Sequence, residues 1–232
     1  MRVLSSLISN AKKIENNDFN ARVNRINWKF LEERVFSVFK KLESDGKDYF
    51  GSFGNLWVTS NIGERQHNYE VIPVDRRVNA IHIKVGHRNL GVSHVNEKLK
   101  TLKKLTEYNA QLWYSQSPSG DVMVFVAPYV SDVHKMNESE IVIGYFTNPS
   151  QISTKLIEGH FSTFFKYCRC TSINSSASYS SYMYRRFLLL KDYRYKSKVR
   201  SQLFGFLERC VPLFVGVVGV IATLYAAGKL NL

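Results

Sequence analysis

A nineteen-residue segment without a charged side chain, Cys210 to Gly228, constrains this chain more than any other feature. As a helix rising ~1.5 Å per residue it would span roughly 28 Å, close to the hydrocarbon thickness of a bilayer. Its large apolar side chains would surround such a helix and leave no polar stripe: Val215, Val217, Val218, Val220, Ile221, Leu224 and Tyr225. We therefore predict a transmembrane helix over 210–228, followed by a short tail, 229–232. The alternative is a C-terminal helix buried on every side in a protein core.

Positive charge is concentrated just before this segment. The chain has 32 Lys and Arg against 19 Asp and Glu, a formal net charge of +13. Between residues 185 and 200 a single acidic residue, Asp192, stands among seven basic ones: Arg185, Arg186, Lys191, Arg194, Lys196, Lys198 and Arg200. Basic flanks stay on the cytoplasmic side of a membrane and attract anionic headgroups. We expect a tail-anchored protein with a cytoplasmic body, whose segment 182–209 lies at the membrane surface.

Tyrosines interleaved with these basic residues leave a second interpretation open. Tyr182, Tyr184, Tyr193 and Tyr195 are of the residue type that stacks on single-stranded nucleic acid. Proximity to the predicted span favours the membrane. Within the span, small residues recur at intervals of three and four, which lets two helices approach closely. The pattern predicts a self-association face, and hence a homo-oligomer, through Gly216, Gly219, Thr223 and Ala227.

The body, residues 1–171, is predicted to be an α+β domain with mainly antiparallel sheet and flanking helices, in the order α-βββ-α-βββ-α. Helical spacing of apolar residues predicts helices over 24–44, 93–109 and 150–168. Short apolar or alternating runs between turn residues predict strands over 55–60, 69–74, 80–85, 111–116, 121–128 and 140–146. A serine-rich segment, 172–181, is predicted to be a linker.

The sequence has no motif of a known catalytic mechanism. It lacks G-x-G-x-x-G, a P-loop, G-x-S-x-G and H-E-x-x-H. The three cysteines, Cys168, Cys170 and Cys210, are interpreted as thiols in a reducing compartment. We therefore predict no enzyme, no cofactor and no metal site. One acidic cluster, Asp132, Glu138 and Glu140 around His134, is most simply a solvated loop.

One segment has the pattern of an anion site. The run Gly86–Gly91 (GHRNLG) is predicted to join a strand to a helix beginning near Ser93. Helix N-termini favour anions, so His87 and Arg88, together with Lys98 on the helix, would bind phosphate or nucleic acid. The plainer interpretation is an ordinary strand-to-helix turn.

A basic domain of about 180 residues before a short apolar segment, Val211–Ala227, resembles the small membrane-associated effectors of bacterial anti-phage systems, including those encoded beside retron reverse transcriptases. The resemblance is one of architecture and brings no site residues with it. It implies a protein of the bacterial inner membrane that stays silent until infection and then damages the membrane.

The favoured hypothesis is therefore a membrane-anchored, non-enzymatic effector or sensor whose cytoplasmic domain responds to a trigger. Two alternatives stay open. One is a membrane-tethered adaptor or scaffold that binds a protein or a nucleic acid. The other is a membrane-bound enzyme that uses the loop 86–94 or the acidic cluster 132–140.

Overall fold

The computed structural model describes residues 2–60, 73–96, 101–131 and 138–195. The chain divides into two compact units, 1–189 and 190–232, and the second is described only over 190–195. Within the described ranges the helices are α1 (Arg2–Phe50), α2 (Thr154–Thr171) and α3 (Tyr179–Lys191). The strands are β1 (Leu56–Ser60), β2 (Ala80–Val85), β3 (Arg88–Asn96), β4 (Thr101–Tyr108), β5 (Gln111–Gln116), β6 (Val122–Ala127), β7 (Val130–Ser131) and β8 (Ile141–Phe146). The predicted α+β class with antiparallel sheet is confirmed.

The larger sheet has five antiparallel strands in the order β1-β2-β5-β6-β8. Alternate residues of its central strands are buried on one face, because side chains of a strand point in turn to opposite sides. These residues are Ile81, Ile83 and Val85 of β2, Leu112 and Tyr114 of β5, and Val122, Val124 and Val126 of β6. They form one core with apolar residues of α1 and α2. The strands predicted over 55–60, 80–85, 111–116, 121–128 and 140–146 are therefore confirmed.

Helix α1 is longer than the sequence pattern predicted. Its core positions are those expected from the spacing: Trp28, Leu31, Val35, Val38 and Phe39 are all buried. The helix does not end at residue 44, as predicted, but continues through Gly46 to Phe50, whose ring lies 6.4 Å from that of Phe39. A single glycine costs a helix only ~1 kcal/mol, so tertiary packing overrides it. Residues 3–20 of α1 are exposed.

The predicted helix over 93–109 is wrong, because residues 93–96 lie in β3 and residues 101–108 in β4, and these two strands pair with each other. Val95 pairs with Leu102, and both side chains are exposed. Strand β4 also pairs with β7 to complete a three-stranded sheet, β3-β4-β7. The spacing of Leu102 and Leu105 fits a helix, but pairing with neighbouring strands satisfies the backbone instead.

Helix α2 is the predicted third helix, shifted toward the C-terminus. Ser153 caps it, since its Oγ accepts a hydrogen bond from Leu156 N at 3.4 Å. The apolar spacing that predicted this helix places Leu156, Ile157, Phe161 and Phe164 on its inner face; the last three are buried, but Leu156 is exposed. The core also includes Leu188 of α3, beyond residue 171, where the pattern placed the end of the domain. Within 172–181, predicted as a linker, Ser172 and Ser181 are buried.

Two predictions fall wholly or partly outside the described ranges. Of the strand predicted over 69–74, residues 69–72 are not described, and Val74–Arg76 is a 3-10 turn. The segment 210–228 is not described either. Among the helices that are described, none has both the length and the apolar composition that crossing a bilayer requires.

Candidate functional site

A cavity of about 640 Å³ opens between the end of α1, the start of β3, the β6–β7 turn and α2. Its basic lining residues are Arg88, Lys166 and Arg169, and none of the described lining residues is acidic. The other described lining residues are Ser52, Phe53, Tyr129, Phe165, Cys168, Ser172 and Ser175. We call this the basic pocket. Its volume lies within the range of ~300–1,000 Å³ typical of small-molecule sites.

Arg88 is held at the pocket by a carboxylate behind it. Its Nη1 lies 2.8 Å from Glu107 Oε2 and donates a second hydrogen bond to Ser172 Oγ at 2.9 Å. The Glu107 side chain has no exposed surface, whereas 25% of the Arg88 side chain is exposed. Glu107 also accepts a hydrogen bond from Ile173 N. The carboxylate thus fixes the guanidinium from the protein side and leaves part of it facing the pocket.

Helix α2 brings two more cations to the same pocket. Lys166 and Arg169 are three residues apart, a spacing that places side chains on one face of a helix. The Lys166 Nζ lies 4.2 Å from the ring centroid of Tyr184, a contact that leaves its charge in place. Among the described residues neither Lys166 nor Arg169 forms an ion pair with a carboxylate. The pocket therefore carries a positive charge that the described part of the domain does not compensate.

Another part of the described lining, which we call the aromatic wall, consists of Phe53, Phe165 and Tyr129. The rings of Phe53 and Phe165 are 5.1 Å apart and tilted by 49°. The hydroxyl of Tyr129 donates a hydrogen bond to Phe53 O at 2.6 Å, which holds the two residues together. Burial raises the pKa of the Tyr129 hydroxyl. The hydroxyl therefore stays neutral, and the wall offers flat apolar surface beside the cations.

The described lining shows no nucleophile paired with a general base. Burial raises the pKa of the Cys168 thiol well above its ordinary range, so this thiol is not an activated nucleophile. Among the described lining residues there is no His, Asp or Glu to act as a general base. The arrangement is suited to binding an anion.

The structure separates the residues predicted to form an anion site. Arg88 lies in the basic pocket, His87 is exposed with its ring 5.3 Å from that of Tyr108, and Lys98 is outside the described ranges. Residues 88–96 form β3, so the expected helix N-terminus is not there. The sequence did not indicate Lys166 and Arg169 as partners of Arg88. Their spacing on α2 was visible, but the approach of α2 to β3 was not.

Helix α3 presents a second candidate surface. Five of its residues follow one another at intervals of three, one, three and one positions along the chain, which places them on one face of the helix. They are Tyr179, Tyr182, Met183, Arg186 and Phe187. All five are exposed; Tyr179 is 77% and Phe187 48% accessible. Arg186 donates a hydrogen bond to Tyr182 Oη at 3.1 Å. We call this face the α3 stripe, and its aromatic and basic composition is typical of surfaces that lie in a membrane interface.

The residues predicted to lie at the membrane surface occupy different environments. Arg186, Lys191 and Arg194 are exposed. Arg185 instead points into the domain, where its Nη1 lies 3.5 Å from Glu138 Oε1 and only 11% of its side chain is exposed. Within the second unit, Arg194 Nη2 lies 2.9 Å from Asp192 Oδ2. Lys196, Lys198 and Arg200 are outside the described residues, as are Gly216, Gly219, Thr223 and Ala227 of the predicted self-association face.

The acidic cluster is described only in part. Asp132 and His134 lie outside the described ranges, while Glu138 faces Arg185 and accepts a hydrogen bond from Tyr167 Oη at 3.4 Å. Burial and the nearby Glu138 raise the pKa of Tyr167. Glu138 thus joins α2 to α3, which is a structural role.

A row of rings, which no sequence pattern indicated, crosses the five-stranded sheet on the face opposite the core. Trp113 and Phe125 are cross-strand neighbours stacked at 4.7 Å and 4°, and His82 lies 6.3 Å from Trp113 on its other side. Trp113 thus has a ring neighbour on each of its two adjacent strands. Such cross-strand ring contacts stabilise the sheet.

Comparison with protein-family models, with curated proteins and with solved structures found no match to this chain.

Proposed function

We propose that this chain is a membrane-anchored, non-enzymatic sensor or effector. Residues 210–228 anchor it with the N-terminal domain on the cytoplasmic side, and binding of a trigger to that domain leads to perturbation of the membrane. The location in a bacterial inner membrane and a role in anti-phage defence follow from the architectural resemblance alone.

The observation that carries this proposal is the α3 stripe. Exposed apolar side chains on a soluble domain mark contacts with a partner or a membrane when they form a contiguous face. Tyrosine and arginine keep their polar ends in water while their apolar parts enter the interface. The stripe is closer along the chain to the predicted anchor than α1 and α2 are, so anchoring holds this part of the chain near the lipid surface.

Fractionation tests the anchor and membrane potential tests the effector role. The full chain and a variant lacking 211–232 are expressed in bacteria, and both the membrane pellet and the potential are measured in the same cultures. We expect the full chain to stay in the membrane pellet after an alkaline carbonate wash and, once triggered, to collapse the potential. The truncated chain, which keeps only the surface contacts of the α3 stripe, is expected to be washed off and to leave the potential unchanged. A full chain that remains in the supernatant contradicts the anchor.

The α3 stripe is tested with a matched pair of exposed phenylalanines. Phe187 lies on the stripe and Phe30 lies on α1, and both are exposed. In the chain lacking 211–232, Phe187→Ser is expected to reduce co-sedimentation with anionic vesicles several-fold, since an interfacial helix binds through its apolar face. Phe30→Ser is expected to have no effect. Equal losses for both variants would contradict a specific role for α3.

An exchanged anchor separates an effector from an adaptor. Residues 210–228 are replaced by an unrelated apolar helix of equal length. An effector that acts through the face of Gly216, Gly219, Thr223 and Ala227 loses its action on the potential, because that face is removed. A tethered adaptor keeps its function, because any anchor places the domain at the membrane.

A further inference from the structure

We infer that the basic pocket binds a ligand of the nucleotide class, with phosphate groups at its cations and a planar ring against its aromatic wall. This inference is independent of membrane anchoring. It concerns the domain of residues 1–189, in which every residue used in the argument lies.

The charge of the pocket selects an anion. Arg88 has a carboxylate partner in Glu107, but Lys166 and Arg169 have none among the described residues. A neutral or cationic ligand would leave these two charges uncompensated. Phosphate accepts several charge-assisted hydrogen bonds at once, which suits a guanidinium fork beside an ammonium group.

The partly occupied guanidinium of Arg88 strengthens this choice. Glu107 and Ser172 both use Nη1, so the other N–H groups of the fork are not engaged by these two partners. Because Glu107 is fully buried, it holds Arg88 without entering the pocket itself. Arg88 is thus positioned in advance for an anion, which lowers the cost of ordering it on binding.

The aromatic wall selects a ligand that also has a flat apolar part. Phe53 and Phe165 lie beside the cations, and Tyr129 closes the wall with its hydroxyl already bonded to Phe53 O. A phosphate or pyrophosphate alone would leave this surface exposed to water. A volume of about 640 Å³ accommodates a nucleoside phosphate.

Titration calorimetry on the full chain in nanodiscs of zwitterionic lipid tests the inference, with ATP, GTP, pyrophosphate and adenosine as probes. We expect at least one of the two nucleotides to bind about tenfold more tightly than pyrophosphate or adenosine. Pyrophosphate would contact only the cations of the pocket, and adenosine only its aromatic wall. Nanodiscs that contain anionic lipid form a second arm. If nucleotide binding disappears in the nanodiscs with anionic lipid, lipid phosphate occupies the same cations. That result would overturn the assignment to a soluble nucleotide.

Three substitutions and one control locate the binding. Lys166→Gln and Arg169→Gln are each expected to weaken nucleotide binding about tenfold, and Phe53→Leu to weaken it about threefold while leaving pyrophosphate binding unchanged. Lys155→Gln removes the same charge from the exposed first turn of α2, outside the described lining of the pocket, and is expected to change binding less than twofold. Circular dichroism confirms that each variant is folded.

Two further results overturn the inference. One is the absence of heat with either nucleotide at about millimolar concentration. The other is an equal loss for Lys155→Gln and Lys166→Gln, which would mean attraction to net charge only. Because the readout is binding in nanodiscs, neither result depends on the membrane-potential experiment.

Discussion

His160 of α2 is buried against the five-stranded sheet, where it shares a hydrogen bond of 3.1 Å with Tyr114 Oη. The ring of Phe146 lies 6.1 Å away in an edge-on arrangement. Burial disfavours the imidazolium and lowers the pKa of His160 from 6.5 to about 4. The free energy of unfolding of the domain should therefore depend on pH even above the range in which carboxylates ordinarily titrate.

The sign and the size of the effect follow from proton linkage. Between the two pKa values the unfolded chain carries a proton on His160 and the folded chain does not, so acid favours unfolding. The contribution of His160 is complete above the unfolded pKa and is lost as pH falls toward the folded one. Since one pKa unit corresponds to ~1.36 kcal/mol, we expect a loss of about 2.5 kcal/mol on going from about pH 7 to about pH 4.5.

Urea unfolding of the full chain in non-ionic detergent, followed by tryptophan fluorescence, measures this loss. His160→Gln removes the titrating group and keeps a hydrogen-bonding partner for Tyr114, so it serves as the reference. The difference in unfolding free energy between wild type and this variant should change by about 2.5 kcal/mol over that pH interval. His87→Gln removes an exposed histidine and should leave the wild-type pH dependence intact.

Parallel stability curves for the wild type and His160→Gln would refute this reasoning, because they would mean that His160 titrates as it does in water. A curve for His87→Gln that also flattens would show that the histidine effect does not come from burial.

Three further predictions concern packing and backbone, each measured by the same denaturation. Trp28→Ala should lower the free energy of unfolding by ~3–5 kcal/mol, because Trp28 is 1% exposed in the core. Phe30 is 57% exposed on the same helix, so Phe30→Ala should change the free energy of unfolding by no more than ~0.5 kcal/mol. Similar losses for the two variants would contradict the burial of Trp28 in the core. Gly159→Ala should stabilise α2 by ~0.5–1 kcal/mol, since nothing lies within 4 Å of the added Cβ. Gly120→Ala should cost more than ~1 kcal/mol, because φ is +87° and the added Cβ would lie 2.5 Å from Asn24 Cβ; a neutral result would contradict this turn.

Where a pattern is local, the sequence predicted the structure well. Strands β2, β5 and β6 alternate buried and partly exposed residues because they lie in a sheet with one face on the core. The apolar spacing of α1 gave its core residues correctly, from Trp28 to Phe39. Both patterns follow from the period of the element itself and need no knowledge of its neighbours. The membrane segment predicted over 210–228 rests on a local pattern too, its length and lack of charge, and stays a prediction.

Tertiary contacts decided the rest. Residues 93–109 fit a helix by spacing, but β4 pairs with both β3 and β7, and these partners hold it as a strand. Arg185 belongs to a basic run by sequence and yet faces Glu138. Arg88 donates a hydrogen bond to Ser172, 84 residues away along the chain, and lies in the same pocket as the cations of α2. The spacing of apolar residues within one helix or strand does not encode such long-range contacts. They depend on how helices and sheets pack when every apolar face is buried at the same time.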